Sequence, residues 1–410
     1  MPCLPGRFDR KVIMKYDVVC GLDVGKETHH ATALTGDGMK IVDRVVANGE
    51  TEMRQLFEKL LTGGNVLAVV DQPSSIGSLP IAVARAMGIE VAYLPGLSMR
   101  RIADLHPGNA KTDARDAFII ADAARTMPHT LRRVDLDDEG LAELEVLVGH
   151  DDDLAAQSTA VANRIRGLLL QIHTALERAI GEDASHPGVL DLLARFGGPA
   201  GLHAAGQAKI RNTLKKNAPR MGDRLAADIW TALGEQTVII PGTAASEKVL
   251  TRLAGQMQVL HSQRKQVAAE IEEALDALPL SRVLTSMPGV GVRTAARILV
   301  EIGDASNFPS AGHLAAYAGI APVTRRSGTS IKGEFPSRSG NKDLKNAFFM
   351  SAFASLRADP TSRAYHDRKR AEGKKHNAAL ICLARRRSDV IYAMLRDRRE
   401  YQQPELPAAA

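Results

Sequence analysis

Short unbroken apolar runs alternate with amphipathic stretches over the first third of the chain. Val18-Val19-Cys20-Gly21-Leu22 and Val66-Leu67-Ala68-Val69-Val70 have the pattern of strands buried on both faces. The pattern predicts strands over Val18–Asp23, His30–Leu34 and Met39–Val46, a helix over Thr51–Leu61, and a strand over Val66–Asp71. A helix over Gly77–Met87, a strand over Glu90–Leu94, a loop and an alanine-rich helix from Asp113 to about Met127 complete this region. Three leading strands followed by helix–strand alternation is an α/β architecture.

Further on the period changes to that of long helices. Residues Leu141 to Ala179 read as one helix in which Leu147, Leu154, Val161, Leu168 and Ala175 recur every seven positions, with Ile165, Ile172 and Ala179 on the neighbouring row. A second seam runs through Leu250, Leu253, Met257, Leu260, Val267, Ile271, Ala274 and Leu278, interrupted by Arg264. Such coiled-coil helices pair within one chain or between chains. Between them, roughly 187–242, lies a Gly/Ala-rich helical insertion with Lys209, Arg211, Lys215, Lys216 and Arg220 beside Trp230. After Leu280, Met287-Pro288-Gly289-Val290-Gly291-Val292 separates helices over Ser281–Ser286 and Arg293–Ile302. This is a helix-hairpin-helix-like turn or, equally, a structural αα-corner. The expected domains are 16–130, 131–280 and 281–400, with tails at 1–15, a candidate disordered segment, and 401–410.

Composition adds two constraints. At 410 residues with 45% apolar and 4% aromatic positions, the chain has material for more than one core, built chiefly from aliphatic residues. Cys3, Cys20 and Cys382 are too few for a disulfide framework, no apolar stretch is long enough to span a membrane, and the start lacks a signal-peptide core, so a cytoplasmic location is expected. The net charge of +6 is unevenly placed: residues 325–400 hold 19 Lys and Arg against 8 Asp and Glu. A basic C-terminal region joined to a net acidic remainder suits a protein that grips phosphates with one part and cations with another.

Four carboxylates sharpen this. Asp23 and Asp71 each close a buried strand, at the edge of a sheet where ligands commonly bind, and Asp113 and Asp116 share one face of a helix start. Any one of them alone is an ordinary strand-end or helix-capping residue. Together they form an oxygen-only set suited to Mg²⁺ or Mn²⁺ and to phosphodiester chemistry. Adjacent His29 and His30 point to opposite faces of a strand and make no competing metal pattern. The second constellation is Tyr317-Ala318-Gly319-Ile320-Ala321-Pro322-Val323-Thr324-Arg325-Arg326-Ser327-Gly328-Thr329-Ser330, followed by Gly340-Asn341-Lys342-Asp343-Leu344-Lys345. It sets a hydroxyl beside guanidinium forks. Local chemistry alone favours Ser327 as an ordinary loop serine, because a serine hydroxyl needs activation.

These motifs, from Tyr16 to about Arg398, resemble the DEDD-type transposases of the insertion sequence one-ten family, which includes the Piv DNA invertases. The signatures are Gly21-Leu22-Asp23-Val24-Gly25-Lys26, Lys111-Thr112-Asp113-Ala114-Arg115-Asp116-Ala117, Pro288-Gly289-Val290-Gly291, Ala315-Ala316-Tyr317-Ala318-Gly319-Ile320-Ala321-Pro322 and Arg326-Ser327-Gly328. The resemblance implies a RuvC-like ribonuclease H fold at the N-terminus, an order that the strand pattern also matches, and a mainly helical C-terminal transposase domain. It implies a metal-binding catalytic tetrad of Asp23, Asp71, Asp113 and Asp116. It also implies a serine nucleophile at Ser327, with Ser330 a lesser candidate, that forms a covalent phosphoserine link. The family's second position is usually glutamate, where this chain has Asp71, and arginine is more usual where it has Lys345. The implied partners are donor and target DNA, a noncoding bridge RNA that pairs with both, and further copies of the chain in a dimer or tetramer. Expected nucleic-acid contacts are Lys111, Arg325, Arg326, Lys342, Lys345, Arg368, Lys369, Arg370, Lys374, Lys375, Arg385, Arg386 and Arg387. Alternatives left open are a RuvC-like junction nuclease using metal-activated water, and an inactive nucleic-acid-binding remnant.

Overall fold

The computed structural model describes residues 13–72, 75–106, 112–133, 139–327 and 331–403. The chain packs as two compact units. One combines residues 1–139 with 301–352 and 361–399; the other holds 140–300, 353–360 and 400–410.

The first unit is built on a sheet of β1 (Val18–Asp23), β2 (Thr28–Thr35), β3 (Lys40–Ala47), β4 (Val66–Val70), β5 (Glu90–Tyr93) and β6 (Arg132–Arg133), in the order β3-β2-β1-β4-β5-β6. β1, β2 and β3 form an antiparallel meander, β4 and β5 run parallel to β1, and β6 closes the far edge antiparallel. Alternation along β1 feeds two cores. Val18, Cys20 and Leu22 pack with Met53, Leu56, Phe57 and Leu60 of α1 (Glu50–Leu61) and with Ile81 and Ala84 of α2 (Ser78–Ala86). Val19, with Leu67 and Val69 of β4, packs on the opposite face against Ile102 of α3 (Gly96–Ala103) and Ile119, Ile120 and Ala123 of α4 (Asp113–Thr126). The expected strands and helices of this region are all present, with ends shifted by one or two residues.

Gly21 explains how closely α4 lies on β1. A Cβ built there would stand 2.5 Å from the Ala121 amide nitrogen and overlap the Ala117 carbonyl oxygen. Gly21→Val is therefore expected to lift the helix off the sheet and destabilise this unit by about 1–3 kcal/mol, the usual cost of overpacking a tight core. Chemical denaturation of the full chain measures it.

The later part of this unit contains α14 (Ala311–Tyr317), the hairpin of β7 (Val323–Ser327) and β8 (Ile331–Phe335), α16 (Pro360–Ala371) and α17 (His376–Asp397), together with most of α15 (Lys342–Ala358). The serine segment expected as a loop is thus a strand. Ser327 ends β7 in register with Ile331, inside an antiparallel ladder that begins at Val323 and Phe335.

The second unit is helical. α5 (Glu139–Ile172) and α11 (Thr243–Asp276) are 34 residues each. The first helix stops earlier than the heptad pattern predicts. His173 leaves helical geometry, and its Nδ1 accepts the Leu176 N–H at 3.1 Å, so a new short helix, α6 (Thr174–Ile180), begins there. A capping side chain outweighs an uninterrupted apolar row. The polar break in the second seam meets a carboxylate of the first long helix: Arg264 donates from Nε and Nη2 to both oxygens of Asp151 (3.0 and 3.3 Å), and Arg293 reaches the same carboxylate at 2.9 Å. Asp151 is buried, so its charge is matched where water is scarce. The insertion between the long helices forms α7 (Pro187–Phe196), α8 (Pro199–Ala205), α9 (Gln207–Asn217) and α10 (Gly222–Gly234), in which Trp230 stacks on His203 at 5.6 Å. α12 (Ser281–Thr285) and α13 (Val292–Ile302) follow on either side of the glycine-rich turn. No helix among the described residues is long and apolar enough to cross a membrane.

Candidate active site

The sheet brings Asp23 and Asp71 to neighbouring strand ends, because β1 and β4 pair in parallel with Leu22 opposite Val70. Each carboxylate follows the last position of the β1–β4 pairing, and Asp23 still pairs with His30 of β2 on its other side. The Val24 N–H points to Asp71 Oδ1 across a long 3.5 Å. α4 adds the third approach: its contact at Gly21 carries its first turn, with Asp113 and Asp116, toward the same edge. Thr112 caps this helix by accepting the Arg115 N–H. Burial pushes the Asp71 carboxyl above the usual carboxylate range, and the charge of nearby Asp116 adds to that rise; backbone N–H groups, first that of Val24, oppose it. Asp116 is half-buried and Asp113 exposed. Among the described residues no three acidic, histidine or cysteine side chains converge to metal-ligand spacing. The carboxylates share an edge without forming a closed cage.

The turn after Asp23 is held by His29 and Asn48, in roles that no local sequence pattern announces. His29, 1% exposed, accepts the Gly25 N–H on Nδ1 at 3.2 Å. Burial lowers its pKa, and nearby Asn48 offsets only part of that, so it stands as a neutral acceptor. His29 Nε2 and Asn48 Oδ1 are both buried and make no hydrogen bond of good geometry. His30 faces the other way and bonds Asp43 at 2.8 Å.

At the other end of the sheet, β6 touches the C-terminal motifs of the same unit. The Arg132 guanidinium lies 4.4 Å from the Tyr317 ring centroid and 5.3 Å from that of Phe308. Asn341 organises what surrounds it: its Oδ1 caps α15 by accepting the Leu344 N–H at 2.9 Å, while its Nδ2 donates to Tyr317 Oη (3.2 Å) and to Glu301. Gly319 and Gly340 pack backbone to backbone; a Cβ on Gly340 would come within 2.6 Å of Gly319. The Tyr-Ala-Gly and Gly-Asn motifs are thus one structural knot at the root of the β7–β8 hairpin. Sequence order alone hid Arg132, whose partners lie about 180 residues downstream.

The expected phosphate contacts are unequal. Lys342, Arg368, Arg370, Lys374, Lys375 and Arg386 are exposed, and Lys345 is half-buried. Arg368, Lys369 and Arg386 surround the Tyr365 ring at 5.1, 5.7 and 4.8 Å, a local concentration of positive charge. Lys369 is paired with Glu372, and Arg385 with Asp389. Arg387 departs from expectation: it is buried and donates to Ser351 Oγ at 2.9 Å, so it supports packing and is withdrawn from any phosphate. Lys111 and Ser330 lie outside the described residues, as do the side chains of Arg325, Arg326 and Ser327.

Comparison with known proteins gives these motifs a context. A family described as a transposase matches residues 20–174, and a second, the transposase IS116/IS110/IS902 family, matches 281–367. Over 386 residues the chain is 56% identical to the insertion element IS110 uncharacterized 43.6 kDa protein of Streptomyces coelicolor, covering 94% of this chain and 95% of that one. The chain belongs to the IS110 family of transposases. This transposase is also 36% identical over 401 residues to the insertion element IS900 uncharacterized 42 kDa protein of Mycobacterium paratuberculosis, covering 97% of this chain and all of that one. A shorter likeness, 38% over 121 residues, links it to the pilin gene-inverting protein of Moraxella bovis, covering 29% of this chain and 38% of that one. The transposase is an enzyme of an insertion sequence that acts on DNA, with a pilin gene-inverting protein among its relatives.

Proposed function

We propose that this transposase cuts and rejoins DNA through a serine–DNA link, with its N-terminal unit working as a RuvC-like ribonuclease H domain. The observation that carries the reading is the meeting of Asp23, Asp71 and the first turn of α4 at one sheet edge. Ser327 Oγ attacks a backbone phosphorus and loses its proton. A serine–phosphate ester forms, one phosphorus–oxygen bond of the strand breaks, and the departing strand leaves with a hydroxyl. Attack by a hydroxyl of the exchange partner then releases serine and seals the new junction, so no external energy source is required.

Asp23, Asp71, Asp113 and Asp116 would hold the divalent cation, Mg²⁺ or Mn²⁺. Their oxygen-only chemistry fits a hard ion, and a cation would offset both the burial that chiefly raises the Asp71 carboxyl and the smaller contribution of the Asp116 charge. Such an ion would supply charge stabilisation to oxygens around phosphorus. Arg325 and Arg326 orient the phosphate, and the exposed cations around Tyr365 hold the flanking backbone. A noncoding RNA from the element selects both DNAs by base pairing, leaving the protein to read backbone shape. α5 and α11 assemble two or four copies.

The test incubates the full-length protein, its element-derived RNA and labelled element-end DNA with Mg²⁺. A protease-sensitive covalent adduct on a denaturing gel, with phosphate mapped to the Ser327 peptide and formed only with RNA present, is the expected result. Cut strands carrying no protein would instead make the enzyme a metal-dependent hydrolase.

A further inference from the structure

Lys26 sits three residues after Asp23 on a turn fastened at four successive positions. The Val24 N–H points to Asp71 Oδ1 (3.5 Å) and the Gly25 N–H donates to His29 Nδ1 (3.2 Å). Asn48 Nδ2 donates to the Lys26 carbonyl at 3.0 Å, and the Asn48 N–H donates to the Glu27 carbonyl at 2.9 Å. Gly25 fits only without a side chain, since a Cβ would overlap the Thr28 carbonyl oxygen. A connection between two antiparallel strands closes without such help. Here three side chains from outside the turn, those of Asp71, Asn48 and the fully buried His29, contact its backbone.

What this turn presents is one cation, Lys26, beside one exposed carboxylate, Glu27, and Lys26 is the nearer of the two to Asp23 in the chain. The Lys26 side chain is exposed and makes no ion pair among the described residues, although Asp23, Asp71 and Asp116 gather at the edge this turn borders. A polyanion approaching that edge meets carboxylate repulsion, which a fixed ammonium at its border would offset. We infer that Lys26 binds a backbone phosphate of the DNA strand entering the carboxylate edge, and that His29 and Asn48 are positioning residues that hold it there. The inference rests on the carboxylate edge being the strand-cutting site.

Binding of the full-length protein and its RNA to labelled element-end duplex, followed as a function of salt, tests it. Lys26→Gln is expected to weaken binding about tenfold and to lower the slope of log affinity against log salt by about one, the signature of one lost phosphate contact. His29→Leu, and independently Asn48→Ala should the first variant fold poorly, are expected to lose the same slope. His29→Asn keeps an acceptor at the δ position and is expected to retain it. An unchanged slope in Lys26→Gln overturns the inference, and so does His29→Asn behaving like His29→Leu at equal thermal stability. Asp23→Asn tells the two readings apart: if it still recombines DNA, the cutting site is misplaced, whereas the Lys26 result measures binding alone.

Discussion

Ser327→Ala is expected to form no covalent adduct with element DNA and to lose recombination by roughly 10⁴-fold or more, the scale on which removal of an enzymic nucleophile acts. The size follows from the chemistry. Without the hydroxyl no serine–phosphate ester can form. The same protein should fold and bind RNA normally, because the hairpin is held by its backbone ladder from Val323–Phe335 to Ser327–Ile331 and by the Asn341 knot at its root. Ser330→Ala is expected to keep the adduct. Should Ser327→Ala yield wild-type adduct, the nucleophile lies elsewhere; should only Ser330→Ala abolish it, the hydroxyl belongs three residues further along.

How much of this was legible depends on where each determinant lies in the chain. The strands bearing Asp23 and Asp71 declare themselves as five-residue apolar runs, and strand ends follow directly from such runs. Asp113 and Asp116 are equally plain, behind the Thr112 cap. β7 was hidden because its core is Thr-Arg-Arg-Ser, which carries no apolar alternation; pairing with β8, not propensity, makes it a strand. His173 was hidden by the heptad rows on either side, although a histidine that can cap a following turn is a local signal. Arg387 stood in a run of three arginines where only burial separates it from its neighbours. Long-range partners such as Arg132 with Tyr317, or Asp151 with Arg264, are properties of the fold and have no local signature.

Replacing Asp71 should separate the electrostatic cost of the carboxylate edge from its use. In the folded protein the Asp71 carboxyl titrates above its unfolded value, chiefly through burial and then through Asp116. A raised carboxyl contributes stability that is fully present below the unfolded pKa and is lost as pH rises through the folded one. At neutral pH without divalent cation the ionised group therefore burdens the fold. Asp71→Asn is expected to raise the denaturation midpoint at pH 7 in the presence of a chelator, and this advantage should shrink as pH falls through the carboxylate range. Mg²⁺ or Mn²⁺ should stabilise the wild type and leave Asp71→Asn nearly unmoved. Recombination by Asp71→Asn should fall roughly 10³-fold, corresponding to the several kcal/mol of charge stabilisation that a metal gives a phosphoryl transition state. Asp71→Glu restores the carboxylate with one more methylene and is expected to keep the cation response. Melting curves with and without Mn²⁺ across pH, read beside adduct formation, decide the matter. An Asp71→Asn protein that gains no stability at neutral pH removes the electrostatic account, and one that answers Mn²⁺ and recombines like the wild type removes Asp71 from the site.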